Sequence, residues 1–257
     1  MRGEQHMKNE NTDFIIGRHP AVMALKSDQE INKVFIQSGL KADAISQIVK
    51  LAKERHLVVS NVPKNKLDLM TDRQNHQGVV LAVAAYQYAA IDDLFDNAAK
   101  HDEDPFFLIL DELEDPHNLG SIMRTADAAG VHGIIIPRRR AVGLTSVVAK
   151  TSTGAIEHVP VARVTNLVQT AKELQERGVW LFGTDMKGKD YRTWDAHGAV
   201  ALVIGNEGDG VSRLVKEACD YIASIPMKGD IDSLNASVAA GVLGFEIVRQ
   251  RMNASKK

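Results

Sequence analysis

Two apolar segments near the end of the chain are each followed at once by a loop of glycine, asparagine, serine and acidic residues. The first segment, 199–204, leads into the glycine loop 205–210, and the second, 221–225, leads into a polar loop before a helix rich in small residues. Buried strands that end in such loops are typical of the carboxyl edge of a parallel sheet, where α/β proteins bind ligands. The stretch 199–241 therefore predicts a parallel sheet with a binding site at its edge.

The glycine loop 205–210 alone allows two interpretations. Three glycines within six residues permit positive φ and a close approach to a ligand, and free N–H groups there can hold an anion or the polar edge of an adenosine. The same composition is equally typical of an ordinary tight turn before a helix. The second loop favours a site, because Ser233 is suited to cap the next helix and Asn235 is predicted just inside it.

Apolar periodicity divides the chain into two α/β regions. Residues 12–88 predict a small α/β domain, and residues 105–252 predict a larger one in which strands alternate with helices around a parallel sheet. Residues 89–104 are acidic and weakly periodic, so we expect a linker with a short helix around 91–99. Residues 1–11 are predicted to be a disordered tail, and 253–257 a second tail.

The larger region begins with five consecutive apolar residues, 106–110, which predict a strand buried on both faces. A charged loop follows, and then a helix predicted from Leu119 to Ala129 with Asn118 as its cap. Arg124 falls off the apolar face of that helix and is expected to face the loop side. A further strand is predicted at 155–161.

The late position of the glycines argues against a dinucleotide-binding domain. Such a domain places its glycine loop directly after its first strand. Here the first strand of the larger region is followed by the charged loop 111–116, which contains no glycine.

Composition excludes several classes of protein. With 44% hydrophobic and 25% charged residues and no apolar run of about 18 residues, the chain fits neither a disordered nor a membrane protein. A single cysteine, Cys219, rules out an intrachain disulfide and favours a reducing cytoplasm. His117, His132 and His158 have no ligand-like spacing with Cys219, so no metal site is predicted. The net charge of −2 means that any nucleic-acid contact must use local basic patches.

Three separate motifs resemble those of one known family. They are DPHNLGSIMRTADAAG at 115–130, GNEG at 205–208, and IPM at 225–227 followed by SLNASVAAG at 233–241. In this order they resemble the SPOUT superfamily, in its TrmH (SpoU) branch of RNA ribose 2′-O-methyltransferases. The resemblance implies an α/β domain with a deep trefoil knot, bound S-adenosylmethionine, and a homodimer in which an arginine acts across the interface.

The resemblance also implies which residues form the site. It identifies Arg124 as the catalytic residue, either as a cation that stabilises the developing alkoxide or as a base assisted by its neighbours, since a free guanidinium keeps its proton above about pH 12. The other polar motif positions are assigned to orienting Arg124, the ribose or the phosphate, with Glu207 alternatively a direct base: Asn118, Glu207, Ser233 and Asn235. The residues expected around the cofactor are Gly183, Thr184, Gly205, Ile225, Met227 and Leu234.

The first region carries its own resemblance. GRHPAVMAL at 17–25 and NHQGVVLAV at 75–83 are similar to the L30e-like substrate-binding domain of TrmH-branch enzymes that act on large-subunit ribosomal RNA. The implied substrate is the ribose of a guanosine in 23S ribosomal RNA, and the alternatives are a transfer-RNA methyltransferase or an inactive RNA-binding relative. The basic residues placed to meet RNA, or equally to form a solvated surface, are Arg18, His19, Lys64, Arg73, Arg138, Arg139 and Arg140.

Overall fold

The computed structural model describes residues 14–41, 43, 45–230 and 233–254. They divide into two compact units, one of residues up to Gln87 together with Leu144–Ser146, and one of Tyr88–Gly143 with the residues from Val147 onward. The predicted tail 1–11 lies outside the described residues, as do 255–257, whereas 253 and 254 end the last helix.

The first unit is a mixed four-stranded sheet with three helices. Its elements are β1 (Phe14–Ile16), α1 (Arg18–Lys26), β2 (Ile31–Gln37), α2 (Ser46–Glu54), β3 (Val59–Val62), α3 (Lys64–Met70) and β4 (Val79–Val83). The strand order is β1-β4-β2-β3, in which β2 runs parallel to β3 and antiparallel to β4. The core contains alternate residues of β2 and β4, including Val34, Ile36 and Leu81, packed against α1 and α2.

The second unit is a six-stranded parallel sheet flanked by helices. Its elements are α4 (Ile91–Lys100), β5 (Phe106–Leu110), α5 (Pro116–Ala128), β6 (Gly133–Pro137), α6 (Ser146–Ser152), β7 (Val161–Val164), α7 (Leu167–Glu176), β8 (Trp180–Asp190), β9 (Val200–Ile204), α8 (Arg213–Glu217), β10 (Tyr221–Ser224) and α9 (Ala236–Ala254). The strand order is β10-β8-β9-β5-β6-β7.

All neighbouring strands of this sheet are parallel, which confirms the predicted α/β class. The two strands buried on both faces, β5 and β9, lie side by side at its centre. The chain order changes direction there, because β8 and β10 lie on one side of β9 and β5 to β7 on the other. A crevice at the carboxyl ends of the strands is expected at such a position.

The segment predicted as a linker, 89–104, is part of the second unit. Helix α4 places Leu94 and Ala98 on one face, and both are buried in the sheet core. A Cβ added at Gly133 would lie 2.1 Å from Leu94 Cγ, so the glycine in β6 leaves the space that the Leu94 side chain occupies. The linker prediction failed because two apolar residues on one helical face are a weak periodic signal in an acidic segment.

The strand predicted at 155–161 is also wrong. Residues Ala155–Glu157 form a 3-10 turn after Gly154, which has φ +93°, and the strand β7 begins only at Val161. The apolar residues Ala155 and Ile156 are buried in this turn and are not part of a strand, so the prediction interpreted buried apolar residues of a turn as a strand. Strand β1 was not predicted, since three residues are too short for a periodic signal.

Replacement of Leu94 by alanine tests whether α4 belongs to the core. We expect Leu94→Ala to lower the free energy of unfolding by about 3 kcal/mol, because it leaves a cavity against β6. The control is Lys100→Ala on the exposed side of the same helix. Urea unfolding of both variants measures the difference, and equal stability would mean that the segment acts as a linker.

Candidate functional site

A cavity of about 190 Å³ lies beside the middle of β8 and at the carboxyl ends of β9 and β10. It is bounded by the glycine loop 205–210, the loop after β10, and the first turns of α9. Five of the six residues expected around a cofactor line it: Thr184, Gly205, Ile225, Met227 and Leu234.

Gly183, the sixth predicted residue, does not line the cavity. It is buried in β8, where an added Cβ would lie 2.8 Å from Ile222 Cδ1 and 2.9 Å from Cys219 Sγ. Its glycine is therefore required for packing of β8 against β10 and the turn between α8 and β10. Strand β8 also continues to Asp190, beyond the predicted end at Gly183.

Gly205 allows the glycine loop to close on itself. An added Cβ would lie 2.0 Å from the Gly210 carbonyl carbon and 2.2 Å from Val211 N, which are main-chain atoms that a side-chain rotation cannot move. Gly210 has φ +68°, a region that favours glycine. The loop therefore adopts a conformation that no other residue at 205 can accommodate.

The N–H groups of the glycine loop are largely used inside the loop. Asn206 and Gly210 exchange two main-chain hydrogen bonds of 3.2 and 3.0 Å, and Asn206 Oδ1 accepts from Gly208 N and Asp209 N. Four of the six N–H groups of 205–210 thus have partners within the loop. Few of them are therefore available to an anion or to the polar edge of an adenosine, and the loop closes largely on itself, as in a tight turn.

The charge of the cavity also disfavours an anion. Its described lining contains the carboxylates of Asp185, Glu207 and Asp209 and no lysine, arginine or histidine. A hydrogen bond from Lys216 lowers the pKa of the Asp185 carboxyl below its ordinary value, so that this group stays charged. Such a cavity suits a cationic ligand better than a phosphate.

Three of the predicted polar residues meet in one network beside the cavity. Asn235 Nδ2 donates to Asn118 Oδ1 at 2.9 Å and to Glu207 Oε1 at 3.2 Å, and Asn118 Nδ2 also donates to Glu207 Oε1. The network joins α5, the glycine loop and the start of α9, which are far apart in sequence. Glu207 Oε2 has no partner among the described residues.

Both predicted helix caps are wrong, for the same reason. Asp115, not Asn118, caps α5 by accepting from His117 N, and Asn118 is buried inside the first turn. Asn235, not Ser233, accepts from Ser237 N at the start of α9. Helix α5 begins at Pro116 and α9 at Ala236, so in both helices the capping residue differs from the expected one. Ser233 is exposed and lines the cavity.

Arg124 lies outside this cavity. It is exposed on α5, six residues beyond Asn118, and so points away from the network, because six residues turn a helix by about 240°. Within the described chain its guanidinium makes no hydrogen bond or ion pair. The neighbouring Thr125 packs against α9, where its Cγ2 atom would lie 3.7 Å from a Cβ added at Gly241. The helix α9 exposes an apolar stripe nearby in sequence, formed by Val238, Val242 and Phe245.

The seven basic residues proposed to meet RNA fall into different environments. Arg18, Lys64 and Arg73 line one cleft in the first unit, whereas His19 is exposed beside it in sequence and does not line it. Arg140 is engaged in the second unit, where a 2.8 Å hydrogen bond from its Nη1 to Glu112 raises the pKa of the guanidinium. Arg139 is exposed, and Arg138 is half-buried.

The other reactive groups play no part in the site. Burial raises the pKa of the Cys219 thiol to about 12, so that it is protonated and unsuited to act as a nucleophile. No group of three or more metal-ligating side chains occurs in the described ranges. None of the described helices combines the length and the hydropathy needed to cross a bilayer.

Sequence reasoning missed several residues that line the cavity. They are Asp185, Met186, Asn206, Ser224, Ala239 and Leu243. Ala236, Ala239 and Leu243 follow one another at helical spacing on α9, so the small residues of that helix were a usable signal. Asp185 directly follows the predicted cofactor residue Thr184 and could have been inferred from it, whereas Met186 gave no signal.

Comparison with known proteins agrees with this arrangement. A model described as the SpoU rRNA Methylase family matches residues 105–245, and one described as RNA 2′-O ribose methyltransferase substrate binding matches residues 14–89. YacO of Bacillus subtilis (strain 168), assigned to the TrmH family of tRNA/rRNA methyltransferases, is 55% identical over 240 residues, which cover 93% of this chain and 96% of that protein.

Two solved structures are similar over different lengths. The AdoMet-bound rRNA methyltransferase from Sinorhizobium meliloti has a TM-score of 0.57 and 28% identity, covering 92% of this chain and 87% of that one. The TrmH/SpoU tRNA modifying enzyme of A. aeolicus has a TM-score of 0.55 and 30% identity, covering 60% of this chain and 78% of that one. With the family model matched across its larger unit and a relative at 55% identity over nearly its full length, this chain belongs to the SpoU rRNA methylase family.

Proposed function

We propose that this protein transfers a methyl group from S-adenosylmethionine to the ribose 2′-hydroxyl of a guanosine in large-subunit (23S) ribosomal RNA. The observation that carries the proposal is the carboxylate-lined cavity beside the network of Asn118, Glu207 and Asn235. The general chemistry in this proposal follows from family membership, because the protein is an S-adenosylmethionine-dependent RNA methyltransferase of the SpoU/TrmH type.

The residues of the cavity fit this cofactor. Ile225, Leu234 and Met227 offer apolar contacts for an adenine ring, and main-chain groups around Gly205 offer polar ones. The carboxylates of Glu207 and Asp185 suit a positively charged sulfonium, whereas a nucleotide phosphate would meet repulsion. When bound, S-adenosylmethionine supplies an electrophilic methyl group.

The network orients the polar groups that would meet the acceptor ribose. Asn118 and Asn235 both donate to Glu207 Oε1, which fixes the carboxylate and leaves Oε2 free to accept a hydrogen bond from a ribose hydroxyl. Ser233, on the cavity lining, is a further candidate to orient the ribose or its phosphate. The guanidinium of Arg124 contributes the positive charge that stabilises the developing alkoxide.

We propose that Arg124 serves the cavity of a second copy of the chain in a homodimer. Two features support this. Arg124 is exposed and lies away from the cavity of its own chain, and α9 exposes the apolar stripe of Val238, Val242 and Phe245, which a symmetric interface would bury. In such a dimer each site would combine the cavity of one copy with the arginine of the other.

The choice of ribosomal over transfer RNA rests on the first unit. The rRNA methyltransferase from S. meliloti matches 92% of this chain, whereas the tRNA modifying enzyme of A. aeolicus matches only 60%. The 60% of this chain that matches the A. aeolicus enzyme is too short to include both units. The first unit is the part that matches a substrate-binding model. The single cysteine supports the further proposal of a cytoplasmic location.

Purified full-length protein tests the substrate directly. We expect methyl transfer from labelled S-adenosylmethionine to in vitro transcribed 23S ribosomal RNA, with 2′-O-methylguanosine as the product after nuclease digestion and mass spectrometry. Total transfer RNA under the same conditions is the comparison. Transfer to transfer RNA alone would overturn the substrate assignment and leave the chemistry intact.

Replacement of Arg124 tests its role. We expect Arg124→Ala to lower kcat by about a hundredfold or more while the Kd for S-adenosylmethionine changes by no more than a few fold, because the guanidinium acts on charge that develops during the reaction. Arg124→Lys should recover part of the rate, since it restores the charge but not the planar fork. Lys172→Ala, which removes an exposed cation from α7, is the control. Near-normal turnover by Arg124→Ala would contradict the assignment.

Co-expression of two inactive variants tests whether the arginine acts between copies. Ala239→Phe should fill the cavity and abolish cofactor binding, because Ala239 lines it. If Arg124→Ala and Ala239→Phe chains pair at random, one site of each mixed dimer is intact, which restores about a quarter of the wild-type activity. If Arg124 instead acts within its own chain, every site contains a lesion and the mixture stays inactive.

A further inference from the structure

The first unit contains a cleft of about 330 Å³, which is near the lower end of the size of small-molecule sites. It lies between the start of α1, the end of β2, α3 and the loop before β4. Three cations line it, Arg18, Lys64 and Arg73, together with the half-buried amide of Gln37 and three exposed side-chain amides, Gln74, Asn75 and Gln77. Asp68 is the one carboxylate among the described lining residues, so the lining is predominantly basic.

A buried histidine holds the loop that carries most of these groups. His76 is 4% exposed, and its Nδ1 accepts from Gly78 N at 2.9 Å while its Nε2 lies 3.0 Å from Asp68 Oδ1. An accepting Nδ1 places the proton on Nε2, which therefore donates to Asp68. This hydrogen bond to Asp68 Oδ1 holds the loop 71–78 against α3. Buried Thr71 adds a second tie, because its Oγ1 donates to Leu67 O at 2.8 Å.

The backbone of this loop is strained. Asp72, Arg73 and Gln77 have φ values of 49°, 60° and 50°, in the left-handed region that residues with side chains rarely adopt. Three such residues within six positions persist only when the surrounding contacts determine them, here those of His76 and Thr71. The result is that Arg73, Gln74, Asn75 and Gln77 are presented to solvent from a fixed main chain.

Arg18 is positioned from the opposite side of the cleft. Its Nε donates to Gln77 O at 3.0 Å, and its main-chain N donates to Gln77 Oε1 at 3.3 Å. Both terminal nitrogens of the guanidinium then remain without a partner among the described residues. An anchored guanidinium with two free nitrogens is suited to a phosphate, which it can bind with two parallel hydrogen bonds.

The three amides point to a base rather than to a second phosphate. A side-chain amide presents a donor and an acceptor together, which is the pattern on the edges of nucleobases, whereas phosphates require donors only. Gln74 and Asn75 make no side-chain hydrogen bond within the described chain, and the Gln77 amide nitrogen is also without a partner there. In RNA these edges are accessible where the base is unpaired.

We propose that this cleft, the nucleotide cleft, binds one unpaired nucleotide of the RNA substrate and distinguishes its base. Arg18, Lys64 and Arg73 contact the phosphates on either side of that nucleotide, and Gln74, Asn75 and Gln77 bond its base edge. His76 and Asp68 position the loop. The inference rests on the proposed function in that the occupant is RNA, and it adds a second point of recognition, separate from the nucleotide that is methylated.

The test compares full-length variants on single-stranded RNA oligomers of adenosine, uridine or cytidine. The wild-type protein should prefer one of the three. The double variant Gln74→Ala/Asn75→Ala should lose about tenfold in affinity for the preferred oligomer and little for the others. Arg73→Ala should weaken all three alike and reduce the slope of log affinity against log salt by about 0.7. Gln47→Ala, an exposed amide on α2, is the matched control.

Cross-linking identifies the contact independently of affinity. Single-stranded RNA that contains 4-thiouridine should cross-link to a peptide within 71–78, and duplex RNA should compete poorly. Equal affinity of the wild-type protein for all three oligomers, or variants that behave like Gln47→Ala, would overturn the proposal. Binding of inorganic phosphate with no preference for RNA would do the same.

The outcome is separable from that of the proposed function. If 23S ribosomal RNA is methylated at equal rates by the amide variant and the control, the nucleotide cleft is refuted and the proposed function stands. If methyl transfer occurs only on transfer RNA while the base preference and its loss in the amide variant persist, the substrate assignment fails and the cleft stands. An unchanged urea unfolding transition shows that the first unit of each variant is folded.

Discussion

The arrangement of the methylase unit depends on the contact of a buried asparagine, Asn118, with an exposed asparagine and an exposed carboxylate. Asn118 is 7% exposed inside α5, so its amide must find partners within the protein. It finds them in Glu207 of the glycine loop and Asn235 at the start of α9. Any displacement of α9 or of the loop would leave a buried amide unpaired, at a cost of about 1–3 kcal/mol. The same bonds that fix the fold at this edge therefore also fix the geometry of the cavity.

A net charge of −2 conceals two opposite local environments. Among the residues that the structure describes, the cavity of the second unit is lined by carboxylates without a cation, and the nucleotide cleft of the first unit by three cations and one carboxylate. Screening in physiological salt limits each field to about 8 Å, so each acts on its ligand locally. A chain of this kind does not need a high overall charge to bind an RNA and a cationic cofactor at separate places. The sum of the charges was therefore a poor guide to its partners.

Most of the sheet could be predicted because its central strands are unbroken apolar runs. Segments 106–110 and 200–204 are buried on both faces, which is typical of strands in parallel sheets covered by helices. The errors come from places where the identity or position of a residue is determined by packing against a residue far away in the sequence. Gly183 was taken for a ligand contact, but the reason for its glycine is Cys219, 36 residues later by sequence number. The short helix expected around 91–99 is present as α4, but it belongs to the second unit instead of a linker, because Leu94 packs against Gly133 of β6.

The site shows the same division between local and distant information. The residues around the cavity were predictable because they follow the ends of consecutive strands, and parallel strands bring their ends to one edge. The helix caps were not, because serine, asparagine and aspartate all serve as caps, and a shift of two or three residues changes which one does. The tautomer and burial of His76 likewise depend on Asp68 and Gly78, which no local pattern connects to it.

The exposed position of Arg124 resolves a conflict between the cofactor and the reaction. A guanidinium inside the cavity would pair with Glu207 or Asp185 and would repel a sulfonium. The reaction nevertheless generates negative charge on an oxygen and benefits from a cation nearby. Holding the arginine on the outer face of α5 keeps it unpaired in the described chain and leaves the cavity acidic. In the proposed dimer the two opposite charges come from different copies, so the complete site exists only after assembly.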